Sequence, residues 1–384
     1  MRIYLDHNAT TPLRPEVVAA MLPALRDVYG NPSSTHEEGA AARRLVEDAR
    51  EQVADLVGAR PREVVFTAGA TEANNAVLAS LRGADAPWRR LVTTEVEHPS
   101  VREPALALEG AGVEVAWLAV DAHGRIDLAA LDAALAGPVP ALVSVIAANN
   151  ETGVVQPLEA IAERVRAAGG YLHLDVTQAL GKWPVHEGAH GAHLLSASAH
   201  KLNGPKGTGC LVARDGVGGP LLLQRGPQGR RARGGTENVA GIAGFGAACA
   251  LARDELDARM SRYAALRDRL WEGLRAKVER VRWNGAAPGA PMLPNTLSVE
   301  IDGAAAEVLL QALDVDGIAV STGAACHSGA IEPSHVLAAM GRTPEQAHAT
   351  LRLSVGHGND EAQIDRAVER LAALAPRARA AAAA

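Results

Sequence analysis

The chain has 384 residues, a net charge of −6 and only 3% aromatic residues. The acidic balance and scarce aromatic side chains argue against nucleic-acid binding, which needs a basic surface and stacking platforms. No apolar run is long enough to span a membrane, and the N-terminus lacks a signal-peptide core. We therefore expect a cytoplasmic protein with neither nucleic-acid nor membrane partners.

Short apolar segments alternate with longer amphipathic ones along the first 213 residues. The apolar segments predict strands at 64–67, 90–94, 114–118, 141–147, 171–175, 194–198 and 209–213. The amphipathic segments predict helices at 15–28, 37–57, 71–81, 101–110, 128–136 and 158–168. This alternation predicts an α/β fold with a mostly parallel central sheet and helices on both faces.

The pattern changes after residue 235. The later elements are predicted as a long helix at 242–276, a strand at 295–300, a helix at 304–313, a strand at 350–354 and a helix at 361–374. The Ala/Arg-rich end of the chain is expected to be frayed. We predict a large α/β domain over 14–255, and a smaller α+β domain formed by 1–13 and 256–384.

The strand at 64–67 runs through Ala-Gly-Ala-Thr into a helix. Free backbone amides at a helix start, together with the hydroxyl of Thr71, predict a phosphate site. The alternative is an ordinary N-cap by Thr71 with Glu72 in the first turn. The two interpretations are compatible, and both remain open at this point.

Asp175 ends an apolar strand, and Gln178 follows three residues later. A carboxylate is costly to bury without a cationic partner, and a protonated ring nitrogen would be such a partner. The alternative is that Asp175 caps a following helix.

Lysine is rare in this chain, with four lysines among 38 basic residues, and Lys201 follows the strand at 194–198. A partly desolvated lysine can lose its proton and form a Schiff base, whereas arginine stays protonated. Ser198 and His200, close by, can donate hydrogen bonds to a phosphate. Together with Thr71 and Asp175, these residues are the groups that a protein supplies for pyridoxal 5′-phosphate chemistry. An ordinary solvated lysine is the alternative.

The three cysteines are far apart and form no CxxC pair. Cys210 and Cys249 lie in strand and helix patterns and are interpreted as small buried hydrophobes. Cys326 lies among Gly, Ala and Ser in a predicted accessible loop, and is the candidate nucleophile. His190 and His193 lack a partner at ligand spacing, so no metal site is predicted.

Ten motifs resemble, in order, those of the cysteine desulfurases related to the nitrogen-fixation and iron–sulfur-cluster enzymes. These enzymes form part of the class V aminotransferase-like branch of fold-type I pyridoxal-phosphate enzymes. The resemblance covers nearly the whole chain. The motifs are YLDHNATTP at 4–12, GNPSSTH at 30–36, FTAGATEANN at 66–75, EHPSV at 97–101, NNETGVVQP at 149–157, HLDVTQALGK at 173–182, SASAHKLNGPKGTG at 196–209, GGTEN at 234–238, STGAAC at 321–326 and LRLSVG at 351–356.

The resemblance implies a role for each matched position toward the cofactor. Lys201 would form the Schiff base, His98 would stack on the pyridine ring, and Asp175 would pair with the ring nitrogen. Gln178 would hydrogen-bond the ring hydroxyl. The residues at the phosphate would be Ala70, Thr71, Ser198, His200 and, from the other subunit of a homodimer, Thr236.

The resemblance also implies the reaction. Asn150 and Arg352 would hold the carboxylate of L-cysteine, Lys201 would remove its Cα proton, and the Cys326 thiolate would attack its sulfur. The products would be L-alanine and a Cys326 persulfide. The persulfide would pass to an acceptor protein, an iron–sulfur scaffold or another thiol carrier.

Two other classes of function are weighed against this one. A selenocysteine lyase or another class V aminotransferase-like enzyme would share the cofactor residues, although an aminotransferase would not need Cys326. A non-catalytic sulfur carrier or scaffold would have no need for an intact set of cofactor residues. The segment at 225–235 departs from the family pattern, since Pro227 and Arg231 stand in place of glycines and Gly229 in place of an acidic residue.

Overall fold

The computed structural model describes residues 2–82, 88–137, 140–185, 191–217, 233–285, 289–323 and 333–382. The strands in these ranges are β1 Ile3–Tyr4, β2 Val64–Thr67, β3 Arg90–Thr94, β4 Glu114–Leu118, β5 Leu142–Ile146, β6 Tyr171–Asp175, β7 Leu194–Ser198, β8 Gly209–Ala213, β9 Val281–Trp283, β10 Thr296–Ile301, β11 Ile318–Ala319 and β12 Thr350–Ser354.

The α-helices of the described residues alternate with these strands in the first part of the chain. They are α1 Pro15–Arg26, α2 Glu37–Val57, α3 Ala70–Ala79, α4 Pro99–Gly110, α5 Leu128–Leu135, α6 Leu158–Ala167, α7 Val239–Asp254, α8 Leu256–Lys277, α9 Ala306–Val315, α10 His335–Ala339, α11 Pro344–His348 and α12 Glu361–Ala382. None of the helices described here is long and apolar enough to cross a membrane.

The central sheet has seven strands in the order β2-β8-β7-β6-β5-β3-β4. Strands β7, β6, β5, β3 and β4 pair in parallel, and β8 is antiparallel to both of its neighbours. β5 and β6 are almost entirely buried, because helices cover both faces of a parallel sheet. The predicted α/β fold with a mostly parallel sheet is confirmed, and all seven predicted strands form it.

The reversal at β8 places Lys201 at the edge of the sheet where the parallel strands end. Ten residues, 199–208, separate β7 from β8. A connection this short cannot hold the crossover helix that a parallel pair requires, so the chain turns back on itself. Because β8 is antiparallel to both β2 and β7, β2 runs in the same direction as β7, and the carboxyl ends of six strands therefore share one edge.

Two smaller sheets lie in the part of the chain that follows α7 and at the N-terminus. β10 pairs antiparallel with β9 and β12, and β1 pairs in parallel with β11. Isolated bridges join Asp6 to Ser354 and Ser321 to Arg352. The N-terminal residues are therefore held between strands from near the other end of the chain.

The buried apolar side chains form two main clusters. One surrounds the central sheet. Its members run along the sequence from Val17 to Ala252, with Leu293 as a later addition. The other joins Ile3 and Leu5 to α8 and to the elements that follow it. This segregation supports the division at residues 13 and 255, which stays a prediction.

The predicted helix at 242–276 is wrong as a single element. It is two helices, α7 and α8, that meet at Glu255, whose carboxylate accepts hydrogen bonds from Arg14 and Arg259. The expected fraying at the C-terminus is also wrong, since α12 continues to Ala382 and buries Ala378 completely. The pairing of the very short β1 and β11 was not predicted.

Candidate active site

A cavity of about 720 Å³ opens at the carboxyl ends of the parallel strands, where α/β folds bind ligands. The loop after β1, the 199–208 connection, Ser321, Gly323 and β12 complete its wall. Ten of the predicted site residues line it. They are Ala70, Thr71, His98, Asn150, Asp175, Gln178, Ser198, His200, Lys201 and Arg352.

Lys201 reaches the cavity from the short connection between β7 and β8. Its Nζ donates to the carbonyl oxygens of Asn8, at 2.6 Å, and Ala9, at 2.7 Å. Burial and the nearby charge of Arg352 lower the Lys201 pKa to about 8, against an opposing effect of Asp6 and Asp175. A substantial fraction of this amine is therefore neutral near physiological pH, and a neutral amine is a nucleophile and a base.

The start of α3 supplies an anion site. α3 begins at Ala70 and its N-cap is Gly69, which has no side chain to bond the first amides. The hydroxyls of Thr71 and Ser198 have no hydrogen-bond partner in the described chain and both line the cavity. The alternative in which Thr71 caps the helix is wrong, because Thr71 lies inside the first turn. Free amides and two hydroxyls suit a phosphate.

His200 lies beside this anion site in its neutral form. Its Nδ1 is 3.1 Å from Thr10 Oγ1, which leaves Nε2 without a partner among the described residues. Burial, together with the charges of Lys201, Lys206 and Lys182, lowers the His200 pKa to about 4. If Nδ1 accepts from the Thr10 hydroxyl, Nε2 carries the proton and can donate it to an anion.

Asp175 is a buried carboxylate with only neutral hydrogen-bond donors. Asn74 Nδ2 donates to its Oδ2 at 2.7 Å, and the Thr177 amide donates to its Oδ1 at 2.9 Å. No salt bridge to Asp175 forms within the described part of the chain, although the residue is only 4% exposed. The helix-cap alternative is wrong, because a series of turns follows β6. A cationic ligand atom would complete this environment.

Gln178 has both ends of its side-chain amide engaged. Its Nε2 donates to the Asn8 carbonyl at 2.9 Å, and its Oε1 accepts from Lys182 Nζ at 2.7 Å. Its position beside Asp175 and Lys201 brings three predicted residues to the same wall of the cavity.

His98 is the N-cap of α4 and forms another part of the wall. Its Nδ1 accepts from the Ser100 amide at 3.1 Å, so the ring is fixed by the helix it begins. Burial lowers the His98 pKa, and the neutral imidazole therefore predominates at neutral pH. A neutral ring that is held in place by the start of a helix can present its face to a planar ligand.

Arg352 approaches the cavity from β12. Its Nη2 donates to Asp6 Oδ1 at 2.7 Å and its Nη1 donates to the backbone oxygen of Asn150 at 3.1 Å. Its Nε is buried without a partner in the described chain. The guanidinium therefore lines the cavity in an orientation fixed by Asp6 and Asn150, and a fixed planar cation suits a carboxylate ligand.

Two predicted site residues are not among those that line the cavity, one of them because it lies outside the described residues. Thr236 is exposed and outside the lining. Cys326 falls in 324–332, outside the described residues, as does most of the 225–235 segment. The described chain reaches the cavity wall at Gly323. Cys210 and Cys249 are fully buried, as predicted, and burial raises the pKa of Cys210 to about 12.

Sequence reasoning missed several residues that hold the predicted ones. Asn8 and Ala9 accept hydrogen bonds from Lys201 through their backbone oxygens, and no pattern of side chains predicts such contacts. Lys182 is one of the four lysines of the chain, and its sequence context indicates no role. Asn74 and Glu97 lie in the motifs at 66–75 and 97–101. Both are buried polar residues, and their neighbours would lack hydrogen-bond partners without them. A search for polar residues inside apolar helix faces would have found Asn74.

The comparisons with known proteins agree with this geometry. The family model "Aminotransferase class-V" matches residues 3–367. A cysteine desulfurase of Cereibacter sphaeroides is 45% identical over 383 residues, which cover 99% of this chain and 97% of that protein. The chain belongs to the class-V aminotransferase family. An IscS-like cysteine desulfurase of Mycobacterium tuberculosis is 42% identical over 386 residues, 99% of this chain and 98% of that one.

Solved structures lead to the same family. A NifS-like protein superposes with a TM-score of 0.90 at 34% identity, over 98% of this chain and 100% of that one. A NifS-like protein from Rickettsia africae superposes with a TM-score of 0.87 at 30% identity, over 97% and 98% of the two chains. These likenesses confirm the α/β fold of this chain.

Proposed function

We propose that this protein is a pyridoxal-phosphate-dependent cysteine desulfurase, which converts L-cysteine into L-alanine and a persulfide on Cys326. The observation that carries the proposal is the convergence of three groups in one cavity. These are the Lys201 amine with its lowered pKa, the Asp175 carboxylate with only neutral donors, and the Arg352 guanidinium held by Asp6 and Asn150.

The residues present fit the cofactor. The uncapped start of α3, with the free hydroxyls of Thr71 and Ser198, suits its phosphate, and Asp175 suits a protonated ring nitrogen. When bound, pyridoxal phosphate supplies an electron sink for the bonds at the substrate Cα. Lys201, His98 and Gln178 lie on the walls between these two ends of the site, and Ala70 and His200 lie at the phosphate end.

The chain's own residues would orient the substrate and move its protons. Arg352 and Asn150 would hold the substrate carboxylate, with Asp6 fixing the guanidinium from the other side. Lys201 Nζ, held by two backbone oxygens, is placed to accept the Cα proton in its neutral form. His98, which is neutral and caps α4, would restrict the ring of the cofactor to one plane.

The sulfur step balances without an external oxidant or reductant. The Cys326 sulfur bonds to the substrate sulfur, and the substrate C–S bond breaks. The thiol hydrogen of Cys326 balances the hydrogen gained at Cβ as L-alanine forms, and Cys326 keeps the sulfur as a persulfide. We propose that the acceptor of this sulfur is a thiol-bearing protein, an iron–sulfur scaffold or another carrier, in the cytoplasm.

We further propose that the active form is a homodimer. One face of α1 and the turn after it exposes Val18, Leu22, Leu25 and Tyr29, which are spaced four, three and four residues apart. An exposed apolar stripe of this kind is typical of a protein–protein contact. Thr236, which is exposed and does not line its own cavity, would reach the phosphate in the partner's cavity.

The experiment is to load purified protein with pyridoxal phosphate, add L-cysteine under reducing conditions and measure L-alanine. Wild type is expected to release alanine and Lys201→Ala is expected to release none. Comparison with L-selenocysteine distinguishes a selenocysteine lyase, which would use that substrate far better. Wild-type protein that binds the cofactor but releases no alanine would contradict the proposal, and failure to bind the cofactor would favour the non-catalytic scaffold.

A further inference from the structure

Lys182 is a buried amine that none of the roles above uses. It follows the turns after β6, is 5% exposed, and its Nζ donates to Gln178 Oε1 at 2.7 Å. It makes no salt bridge within the described residues, and its charged neighbours Lys201 and Arg352 are both cationic. Burial lowers the pKa of Lys182 well below its ordinary value. A lysine placed at this cost to the fold needs a structural or functional reason.

The contacts with Asn8 and Lys182 together determine which way the Gln178 amide points. A glutamine amide has an acceptor end and a donor end of nearly equal shape, and only its partners distinguish them. The Asn8 carbonyl can only accept, so the end of the amide that faces it, at 2.9 Å, is Nε2. The other end is Oε1, which accepts from Lys182 Nζ at 2.7 Å and is held by that contact.

The same Asn8 carbonyl also accepts from Lys201 Nζ at 2.6 Å. Gln178 Nε2 has two hydrogens, and only one of them is used by Asn8. The second is left as a donor on a residue that lines the cavity. Reversal of the amide would place Oε1 against the Asn8 oxygen and would remove both the hydrogen bond and the free donor.

We propose that Lys182 is a positioning residue that locks the Gln178 amide, so that Gln178 offers an N–H donor to the ring oxygen of pyridoxal phosphate. This inference rests on the proposed cofactor. Lys182 itself contacts neither cofactor nor substrate and acts only through Gln178. A donor at the ring oxygen stabilises the anionic form of that oxygen.

The test compares Lys182→Met, Gln178→Leu and the double variant, each loaded with pyridoxal phosphate. The readout is the midpoint of the pH titration of visible absorbance of the protein-bound cofactor, with the dissociation constant measured on apoprotein. Methionine matches the length of lysine without its donors. Lys182→Met is expected to raise the midpoint by about half a pH unit or more, as Gln178→Leu does.

The double variant separates action through Gln178 from an independent effect. If Lys182 acts only by holding the amide, then Lys182→Met adds nothing once Gln178 is leucine, and the double variant matches Gln178→Leu. Lys182→Arg, which keeps donors at this position, is expected to restore part of the wild-type midpoint. Lys277→Met, at an exposed lysine on α8, is the matched control and should leave the midpoint unchanged.

Thermal unfolding of each apoprotein shows whether a variant has folded. If methionine is not tolerated at this position, Lys182→Gln provides a second replacement that is shorter and still polar. A Lys182→Met midpoint equal to that of wild type, or additive shifts in the double variant, would overturn the inference. These outcomes are distinct from failure of the proposed function, in which wild-type protein itself binds no pyridoxal phosphate.

Discussion

At the scale of single residues, reactivity depends on the protonation of Lys201. Burial and Arg352 lower its pKa to about 8, so the neutral fraction increases as pH rises toward that value and then levels off. Apoprotein should therefore react with pyridoxal phosphate about tenfold faster at pH 9 than at pH 7, with a plateau above pH 9. Stopped-flow absorbance measures this rate. A rate still rising tenfold per pH unit beyond pH 9 would indicate an ordinary lysine.

Arg352 gives the second prediction at this scale. Replacement by glutamine removes the charge and the paired donors that would hold the substrate carboxylate, so KM for L-cysteine should rise about 10- to 100-fold. The dissociation constant of pyridoxal phosphate should change little. Arg352→Lys is the matched variant, expected to recover charge but not the planar pair of donors. Steady-state kinetics with a cofactor titration checks both, and an unchanged KM in Arg352→Gln would remove Arg352 from the substrate site.

The sequence predicted the reactive side chains better than the groups that hold them. Asp175 and Lys201 are polar residues at or just after the ends of apolar strands, where the sequence pattern makes them visible, whereas the role of Arg352 came from the family resemblance. The Asn8 carbonyl that receives both Lys201 and Gln178 is a backbone atom from a distant segment. Lys182 lies in a turn, and only its burial distinguishes it from a surface lysine.

At the scale of elements, the strands of the central sheet were predicted well because most of them are short apolar runs covered on both faces. The break between α7 and α8 was missed because neither proline nor glycine marks it, and the hydrogen bonds of Arg14 with Glu255 come from the other end of the chain. The extension of α12 past Pro376 was missed because its cause is tertiary. Arg379 Nε donates to the Asp302 carbonyl at 2.9 Å, and Ala378 is buried.

An ion cluster around the buried carboxylate of Glu63 joins the start of β2 to the end of β8. Glu63 is 3% exposed and accepts from Arg60, from Arg214 at 3.2 Å and from the Asp215 amide at 3.2 Å. Burial alone would raise its pKa, but these hydrogen bonds outweigh it and lower the pKa to about 2. A carboxylate with a lowered pKa stabilises the fold above its unfolded value of 4.5 and loses that contribution as pH falls toward 2.

Glu63→Gln should therefore lower the free energy of unfolding by about 2–4 kcal/mol at pH 7, because it leaves two arginines without their shared partner. The loss should shrink as pH falls below about 4. Chemical denaturation of the apoprotein at several pH values measures it. Glu369→Gln, at an exposed glutamate 3.9 Å from Lys277, is the control and should change stability little. Equal effects of the two substitutions would contradict the role given to Glu63.

At the scale of the whole molecule, the exposed apolar face of α1 is where we place the contact between subunits. Leu25 is 64% exposed within it, and Leu25→Glu should shift a dimer toward monomer because it brings two carboxylates to a symmetric apolar contact. Sedimentation velocity at micromolar concentration measures the shift. Val315→Glu, at an apolar residue of α9 that is 88% exposed, is the control. A Leu25→Glu protein that remains fully dimeric would place the interface elsewhere.

The most direct test of the account is mass spectrometry of cofactor-loaded protein after L-cysteine is added. Lys201, Asp175 and Arg352 can activate a substrate, but sulfur transfer needs Cys326, which the small domain is predicted to bring to the cavity. The account predicts one added sulfur on the peptide that contains Cys326, and none in Cys326→Ala protein that still binds the cofactor. Sulfur on Cys210 or Cys249 instead, or undiminished persulfide in Cys326→Ala, would contradict it.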